Sequence, residues 1–404
     1  MNIPTQIIHR KRYLNRLKPF IDKQVIKVLT GQRRVGKSYL LYQLIQYIQA
    51  TKSKPTIIYI NKEDLAFAHI KNAIDLSNYV NENASKNGKS YVFIDEIQDI
   101  EDFHVALRSL LLNEKLDIYC TGSNANLLSS DIAGNLSGRY VEKVVYSLTY
   151  LEFLEFHKLE QGEQALEKYM KFGGLPYLKH LPLKDEIVFE YLQNIYSTII
   201  YRDVVNRFNI RNTSFLEKLV QFLASNTGSL FSSKSISDYL KSQQIKVAPN
   251  QVQNYITHLV NAYILLASKR YNIQGKRLFE IGEKYYFENL GIRNAIWGYR
   301  LEDRGKIIEN IVHNHLLYLD YKVNVGVLGV HEIDFIAKKN SEIVYIQVAL
   351  ILKEESTIER EFGNLLKIKD NYPKIVVTLD NYSGSSYQGI KVMHLSKFLT
   401  SFLG

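Results

Sequence analysis

One segment near the amino terminus, VIKVLTGQRRVGKSYLLYQLIQYI over residues 25–48, constrains the fold more than any other part of the chain. Residues 25–30 form a short apolar run that is typical of a buried strand. Residues 31–38 then match the pattern G-x-x-x-x-G-K-[ST] completely. Apolar residues follow at helical spacing: Leu40, Leu41, Leu44, Ile45 and Ile48. A strand, a glycine loop and a helix in this order predict an α/β core whose loop wraps phosphate groups.

Each position of this loop has a predicted part in holding a nucleotide. Glycines let backbone N–H groups turn inward around phosphates, and the helix N-terminus adds partial positive charge. Lys37 is expected to reach the β- and γ-phosphates, and the Ser38 hydroxyl is expected to ligate Mg²⁺. The predicted nucleotide contacts are Gly31, Arg34, Val35, Gly36, Lys37, Ser38 and Tyr39. The predicted nucleotide and cofactor are therefore ATP and Mg²⁺.

The segment KSYVFIDEIQDI over residues 89–100 supplies the acidic residues that such a loop requires. Residues 91–94 read as a buried strand that ends at Asp95 and Glu96. Asp95 is expected to hold Mg²⁺ through water, and Glu96 is placed to polarise the attacking water. The glutamate predicts hydrolysis of ATP rather than nucleotide binding alone.

Two further segments carry polar residues near predicted strands. Residues 116–120 form a third apolar strand that ends in TGSN, so Ser123 and Asn124 are candidates to touch the γ-phosphate or the water. An ordinary turn is the alternative at that place. Arg139 lies between Gly138 and a strand predicted at 141–146. It could supply positive charge to the transferring phosphoryl group in its own subunit or in a neighbouring one, or it could be a surface arginine.

Composition limits the classes of protein that this chain can belong to. Its 404 residues suffice for about two to four domains. The single cysteine, Cys120, excludes an internal disulfide framework and fits a reducing compartment. Apolar runs stay shorter than the roughly 18 residues of a membrane span, and the basic amino terminus lacks the apolar core of a secretory signal. We therefore expect a cytoplasmic protein with no membrane partner.

Positive charge is concentrated in one part of the chain. The net charge is +10, and residues 211–300 hold 12 Lys and Arg against 5 Asp and Glu. Seven of the ten net charges therefore lie in less than a quarter of the chain. Clustered positive charge suggests a polyanionic partner, with nucleic acid first, although a solvated basic surface is an equal alternative.

The pattern becomes helical from residue 148 to residue 212. Apolar residues recur at three- and four-residue spacing, with breaks at Gly173, Gly174 and Pro176. This pattern predicts a helical lid subdomain that follows an ATPase core over residues 1–147.

Residues 213–300 predict a winged helix-turn-helix, with three helices followed by a hairpin that turns at Gly275. In that fold helix 250–263 would lie in the major groove of duplex DNA. Amide side chains at its start suit adenine edges, and basic side chains on the wing would contact phosphates. The predicted DNA contacts are Asn250, Gln251, Gln253, Asn254, Lys269, Arg270, Lys276 and Arg277. A protein-docking module is the alternative.

Residues 301–404 alternate helices and strands in the order of a restriction-endonuclease-like α/β domain. Glu309 falls in the first helix, Asp334 near the end of one strand and Gln347 in the next strand. An active centre of this kind uses two carboxylates for Mg²⁺ and a lysine for the developing charge. Here a neutral amide, Gln347, and Ala349 replace one carboxylate and the lysine. A degenerate site is predicted, unless Lys338, Lys339 or Lys353 substitutes for the lysine.

These motifs together resemble prokaryotic AAA-type P-loop ATPases that carry a winged helix and a C-terminal restriction-endonuclease-like domain. The matching segments are GQRRVGKS, FIDEIQ, TGSN, LSGRY, LTYLEFLEF, YRDVV and EIDFIA, and they span nearly the whole chain. The resemblance implies a multidomain α/β protein that hydrolyses ATP. The resemblance suggests nuclease activity, but the departures at Gln347 and Ala349 argue against that activity in this chain.

Three functions remain open at this point. The first is an AAA-type ATPase that couples hydrolysis to DNA binding. The second is an ATPase switch that remodels or senses a protein partner. The third is an ATP-dependent nuclease, which the departures disfavour. A homo-oligomer is possible under each of them, since sites of this type often lie between subunits.

Overall fold

The computed structural model describes residues 4, 6–128, 136, 138–242, 244–352, 355–381 and 385–402. The chain divides into two compact units. The first comprises Met1–Tyr146 together with the short segment Asn261–Tyr263, and the second comprises Ser147–Val260 and Ile264–Gly404.

A parallel sheet forms the centre of the first unit. Its strands are β1 (Ile26–Thr30), β2 (Thr56–Asn61), β3 (Ser90–Asp95), β4 (Leu116–Gly122) and β5 (Tyr140–Val144). They lie in the order β2-β3-β4-β1-β5, and each neighbouring pair is parallel. The prediction of an α/β core with a parallel sheet is confirmed. All the carboxyl ends meet at one edge, which is where open sheets of this kind bind ligands.

Helices cover this sheet because their apolar faces pack on it. They are α1 (Lys11–Leu17), α2 (Lys37–Thr51), α3 (Ala73–Asn83) and α4 (Phe103–Leu110), with 3₁₀ turns that include Ile97–Asp99. The apolar residues that predicted α2 are all buried. Burial of each such leucine or isoleucine contributes about 1.5–3 kcal/mol, which holds the helix that follows the glycine loop against the sheet.

The helices of the second unit begin directly after β5. They are α5 (Tyr150–His157), α6 (Glu163–Phe172), α7 (Asp185–Thr198), α8 (Thr213–Ser225), α9 (Ser233–Ser242), α10 (Pro249–Asn261), α11 (Leu290–Trp297), α12 (Arg304–Tyr318), α13 (Glu355–Leu366) and α14 (Leu395–Ser401). A π-helix, Ile199–Asn206, continues α7. A capping box between Thr149 and Glu152 begins α5, which agrees with the predicted helical segment from residue 148.

A mixed sheet runs through the second unit. Its strands are β6 (Leu230–Phe231), β7 (Leu265–Asn272), β8 (Arg277–Phe287), β9 (Lys322–Leu328), β10 (His331–Lys339), β11 (Glu342–Ala349), β12 (Lys374–Thr378), β13 (Ser386–Tyr387) and β14 (Ile390–His394). The order is β13-β14-β12-β11-β10-β9-β7-β8-β6. The predicted hairpin is β7–β8, and β7 also pairs in parallel with β9 through Arg270–Asn272. One sheet therefore joins the hairpin to the C-terminal α/β segment.

The four-domain division at residues 147, 212 and 300 stays a prediction, since the structure separates two units rather than four. The first unit ends one residue before the predicted boundary at 147, whereas residues 300 and 301 lie between helices of the second unit. In the part of the chain that the structure describes, no helix combines the length and the apolarity that crossing a membrane requires.

Candidate active site

The carboxyl edge of the five-stranded sheet collects the residues of the two N-terminal motifs. β1 leads into the glycine loop, β3 ends at Asp95, and β4 ends at Gly122. Because β4 lies between β1 and β3, the loop and Asp95 are two strand spacings apart, which is about 10 Å. The first residues of α2 cross that gap.

The loop adopts a backbone that needs glycine at its two ends. Gly31 has φ 141°, and a Cβ there would lie 2.2 Å from the carbonyl oxygen of Val145. Gly36 has φ 96° and caps α2. Arg34 also has positive φ, 71°, and its side chain is exposed at the loop tip. Both glycines are therefore required by the geometry, whereas Arg34 is tolerated there.

The Lys37 ammonium is held by the loop itself. Its Nζ donates to the carbonyl oxygens of Gly31 and Gln32, each at 3.0 Å, and the side chain is buried. An ammonium group has three N–H donors and no acceptor, so it binds oxygen atoms such as these. The lysine is thus a buried positive charge at the centre of a loop of N–H groups, which suits a bound polyphosphate.

The Ser38 hydroxyl lies close enough to the Asp95 carboxylate to favour its charged form. Asp95 also accepts from Thr121 Oγ1 at 2.5 Å and from the Tyr59 hydroxyl at 3.2 Å. Burial raises the pKa of Asp95, and the Glu96 charge adds to this, whereas the hydrogen bonds and the Lys37 charge lower it. A hydroxyl beside a carboxylate is a donor set that fits Mg²⁺, so these residues suit the predicted cofactor.

Glu96 has an unusual backbone and a buried side chain. Its φ is 57°, in the left-handed region that residues other than glycine rarely occupy. Its N–H donates to Thr121 Oγ1 at 2.9 Å, and its Oε2 accepts from Gln98 Nε2. Oε2 also lies 3.9 Å from Arg33 Nη2, and Arg33 pairs with Glu63 at 3.0 Å. Strain of this kind is found at functional sites, where surrounding contacts hold it.

The remaining predicted loop contacts differ in exposure. Val35 is buried, and its carbonyl oxygen accepts from Arg10 Nη1 at 3.1 Å. Arg10 also donates to the Tyr146 carbonyl oxygen at 2.8 Å, so it braces the loop against the end of the first unit. Tyr39 is exposed at the start of α2. Motif matching missed Arg10, which lies outside the loop in sequence.

Ser123 and Asn124 both follow β4 at the loop edge of the sheet and are buried. Among the described residues, none makes a hydrogen bond with Ser123 Oγ. The Asn124 carbonyl oxygen accepts from Leu127 N at 3.2 Å. Both residues follow β4, the neighbour of the strand that leads to Glu96, and their contact with a γ-phosphate or the water stays a prediction.

Arg139 lies at the amino-terminal ends of the strands, opposite the end where the glycine loop lies. It precedes β5, whose first residue pairs with Ile26 at the start of β1, and its carbonyl oxygen accepts from Ile26 N at 2.9 Å. The five residues of β1 separate it from the glycine loop by about 16 Å. The prediction that Arg139 acts in its own subunit is wrong for this reason. Its exposed side chain leaves the neighbouring-subunit role as a prediction.

A distant segment of sequence completes the loop. Tyr263, which belongs to the first unit, donates from its hydroxyl to Thr30 Oγ1 at 2.9 Å. Its carbonyl oxygen accepts from Gln32 Nε2 at 3.1 Å. Thr30 in turn donates to Glu142 at 2.6 Å. Tyr263 has φ 56°, so a strained residue contacts both sides of Gly31. Sequence reasoning missed it, because it lies at the end of the predicted recognition helix 250–263, whereas the observed helix α10 ends at Asn261.

The predicted DNA contacts lie mostly on exposed surface. On α10 Asn250, Gln251 and Asn254 are exposed, whereas Gln253 hydrogen-bonds Ser233. The apolar side of the same helix, Val252, Tyr255, Ile256 and Leu259, is buried. The amides of Asn250, Gln251 and Asn254 therefore lie on the solvent-exposed face of α10.

The hairpin presents its basic residues in two ways. Lys269, Lys276 and Arg277 are exposed. Arg270 is half-buried, and its guanidinium lies 4.8 Å from the centre of the Phe279 ring. The exposed cations near the turn are the ones that can reach a polyanion.

The predicted nuclease residues are brought together around a lysine that the motif search missed. Lys284 of β8 is buried, and its Nζ lies 3.0 Å from Glu309, 2.8 Å from Glu332 and 3.8 Å from Asp334. Asp334 N donates to Gln347 Oε1 at 3.2 Å. In the described chain no cluster of three or more His, Cys, Asp or Glu is arranged to hold a metal ion. The Lys284 ammonium therefore supplies the positive charge that faces the Glu309, Glu332 and Asp334 carboxylates.

The lysines named as substitutes point elsewhere. Lys338 Nζ lies 3.5 Å from the centre of the Tyr271 ring, and Lys339 Nζ lies 5.3 Å from that of Tyr321. Lys353 lies outside the described residues. Neither described lysine replaces the one missing at Ala349.

Comparison with known proteins agrees with this architecture. Residues 23–154 match the family described as an AAA domain, and residues 163–303 match a domain of unknown function (DUF8612). A Walker-type ATPase of Pyrococcus abyssi has a similar structure, with TM-score 0.51 and 17% identity, over 72% of this chain and 96% of that one. The fold and the loop thus define an AAA-type, P-loop ATPase-like core.

Two relatives match over most of their length. An uncharacterized protein of Haemophilus influenzae is 36% identical over 97% of this chain and 98% of its own length. An uncharacterized protein of Methanocaldococcus jannaschii is 30% identical over 91% of this chain and 84% of its own length. The chain belongs to the family that these two proteins share.

Proposed function

We propose that the chain hydrolyses ATP and couples this hydrolysis to the binding of duplex DNA. The observation that supports the ATPase proposal is the meeting of the two motifs at one edge of the sheet, where Ser38, Lys37 and Glu96 all act on the Asp95 carboxylate. Lys37 and Ser38 follow β1, Asp95 ends β3, and β4 lies between these two strands, yet the three residues are assembled at one edge of the sheet.

Each residue has a separate part in the proposed reaction. The loop N–H groups and Lys37 bind the phosphates, and for this the ammonium exchanges the carbonyl oxygens of Gly31 and Gln32 for phosphate oxygens. Ser38 and Asp95 would hold Mg²⁺, which supplies positive charge to the phosphates when bound. Glu96 takes a proton from the attacking water. Arg33 neutralises part of the charge near Glu96.

DNA binding is proposed for α10 and the β7–β8 hairpin, as parts of a winged helix. The outward amides Asn250, Gln251 and Asn254 suit base edges, and Lys276 and Arg277 suit phosphates. The excess of positive charge in residues 211–300 supports the same partner.

Tyr263 supports coupling between these two activities. α10 runs to Asn261, and the next two residues reach the strand and the loop that carry the nucleotide site. Lys37 contacts the Gln32 carbonyl oxygen, and the Gln32 side chain contacts the Tyr263 carbonyl oxygen. Phosphate binding that moves Lys37 therefore acts on a residue that is covalently joined to the proposed recognition helix.

The test is steady-state ATP hydrolysis with and without duplex DNA at low salt. Lys37→Ala should abolish nucleotide binding, and Glu96→Gln should bind ATP but turn over at least ~100-fold more slowly. Normal turnover in Glu96→Gln would refute the assigned base. Stimulation by DNA supports coupling, whereas robust hydrolysis that ignores DNA favours a protein partner.

Tyr263→Phe tests the coupling alone. The variant loses one hydrogen bond of about 1 kcal/mol, so folding should persist. We expect hydrolysis without DNA to stay within about 2-fold, because a difference that small is under 0.5 kcal/mol in barrier, and the stimulation by DNA to fall. Tyr372→Phe, at an exposed tyrosine of the second unit, is the matched control. Unchanged stimulation in Tyr263→Phe would remove Tyr263 from the coupling.

A further inference from the structure

Gln98 contacts the proposed base in a single possible orientation. It lies in the 3₁₀ turn Ile97–Asp99, directly after Glu96, and its Nε2 donates to Glu96 Oε2. A carboxylate oxygen only accepts hydrogen bonds, so the amide nitrogen rather than the amide oxygen must face Glu96. The direction of the amide oxygen is thereby determined.

That oxygen is turned towards the end of β4. A Cβ built on Gly122 would lie 2.9 Å from Gln98 Oε1, so the glycine leaves the space that the amide occupies. Oε1 is buried, and among the described residues none donates a hydrogen bond to it. Ser123, the residue after Gly122, has a buried hydroxyl that is also unpartnered among them. Leaving such a group unsatisfied costs about 1–3 kcal/mol, so a hydrogen bond from a molecule bound at this edge of the sheet would stabilise either atom.

We propose that Gln98 is a positioning residue that orients the attacking water, an inference that rests on the proposed hydrolysis of ATP. The attacking water can donate two hydrogen bonds. One is directed at Glu96 and the other at Gln98 Oε1, which leaves an oxygen lone pair for the γ-phosphorus. In the step, a bond forms between the water oxygen and phosphorus, and the bond from phosphorus to the β–γ bridging oxygen breaks. The electron pair leaves on ADP, and the proton passes to Glu96.

Packing of the turn does not depend on the glutamine side chain. Ile97 and Ile100 are buried in the core of the first unit, whereas Gln98 is half-buried. The turn is also closed by a backbone hydrogen bond from Asp99 N to the Glu96 carbonyl oxygen at 3.1 Å. Replacing Gln98 therefore changes the site while the turn is retained.

The experiment uses the full chain and separates binding from turnover. Gln98→Met keeps the length of the side chain and removes both hydrogen-bonding atoms. We expect ATP and ADP affinities within about 2-fold of wild type and a rate at saturating ATP at least ~10-fold lower. Tetrafluoroaluminate mimics the phosphoryl group during transfer, and it traps ADP only when a water molecule is in line with it. Gln98→Met should lose this trapping. Gln49→Met, at an exposed glutamine late in α2, is the matched control and should behave as wild type.

Gln98→Glu tells the two contacts of the amide apart. It keeps an acceptor oxygen but sets a second carboxylate against Glu96 in place of the donor. Because the proposal needs both contacts, this variant should also lose tetrafluoroaluminate trapping and at least ~10-fold in rate. It decides the question on the same measurements if Gln98→Met does not fold.

Failure of this inference looks different from failure of the proposed function. Wild-type turnover and trapping in Gln98→Met, with a slow Glu96→Gln, would overturn the part of Gln98 alone. If Gln98→Met binds ATP more weakly but hydrolyses it at the wild-type rate at saturating ATP, Gln98 contacts the bound nucleotide before the reaction. That result would also overturn its role in positioning the water. If the wild type hydrolyses no ATP, or Glu96→Gln is as fast as wild type, the proposed function fails first.

Discussion

Replacing Lys284 by methionine should destabilise the second unit strongly at neutral pH. The side chain is only 5% exposed and lies against Glu309 and Glu332 at 3.0 and 2.8 Å. Burial lowers the pKa of Lys284, but the charges of Glu309, Asp334 and Glu332 outweigh it and raise the pKa above its ordinary value. The Lys284 ammonium is therefore fully charged, and its charge neutralises the nearby carboxylates. Methionine keeps the length of the side chain and removes the charge.

The magnitude follows from the burial of the cluster. Removing one partner of a buried ion pair costs about 3–5 kcal/mol, because the remaining charges lose their counter-ion. Glu332 is more exposed, at 42%, so Glu332→Gln should cost less than about 1 kcal/mol and serves as the graded control. For a unit of this size the Lys284→Met loss corresponds to a fall in Tm of about 6–20 °C.

The assay is thermal unfolding of wild type and Lys284→Met at pH 7.5 and at pH 5.5. Burial and the Glu309 charge raise the pKa of Asp334, whereas the Lys284 charge lowers it. Without the lysine the carboxyl holds its proton to higher pH, so the destabilisation should shrink as the pH falls. Lys284→Met/Glu309→Gln should recover part of the loss. An unchanged Tm at pH 7.5, or a loss that grows at pH 5.5, would refute the reasoning.

Three further predictions concern other parts of the chain. Arg277→Ala should weaken duplex DNA binding and reduce its salt dependence without altering basal ATP hydrolysis, as measured by fluorescence anisotropy at several salt concentrations. Arg139→Ala should lower hydrolysis only at protein concentrations at which the wild type self-associates; an equal loss in dilute monomer would contradict a neighbouring-subunit role. His313 tests acid stability: burial lowers its pKa to about 4, and the Lys284 charge adds to this, whereas a hydrogen bond with Asn314 opposes it. The folded state excludes a proton that the unfolded chain binds below about pH 6.5, so stability should fall by about 3 kcal/mol between pH 6.5 and 4, and His313→Gln should remove that slope in urea titrations.

The N-terminal site was predictable because its signals are local. The glycine loop and the strand that ends at Asp95 each carry their own backbone requirements in a short stretch of sequence. Parallel strands bring their carboxyl ends to one edge, so the motif order is enough to expect that Ser38 meets Asp95. The same rule could have excluded Arg139 from its own subunit's site, since a residue before a parallel strand lies at the opposite edge.

The residues that were missed come from remote parts of the chain. Tyr263 reaches Thr30 across 233 positions, and Arg10 reaches Tyr146 across 136. Lys284 joins the carboxylates of Glu309, Glu332 and Asp334 from a hairpin that the sequence assigned to another domain. No periodicity or spacing encodes such contacts, because they depend on how separate elements pack. Gln98 differs, since it lies within the motif FIDEIQ, two residues after Glu96, so its place near the site follows from local sequence.

The parallel pairing of β7 with β9 has a consequence for how this protein can be divided. A cut between residues 300 and 301 would strip each fragment of a sheet neighbour and leave an unpaired strand edge on both. It would also take Lys284 away from its carboxylates. Fragments made at that point should aggregate, and genes that exchange the C-terminal segment alone should yield insoluble chimaeras. The β7–β8 hairpin and the C-terminal segment are therefore expected to diverge together or to be replaced together.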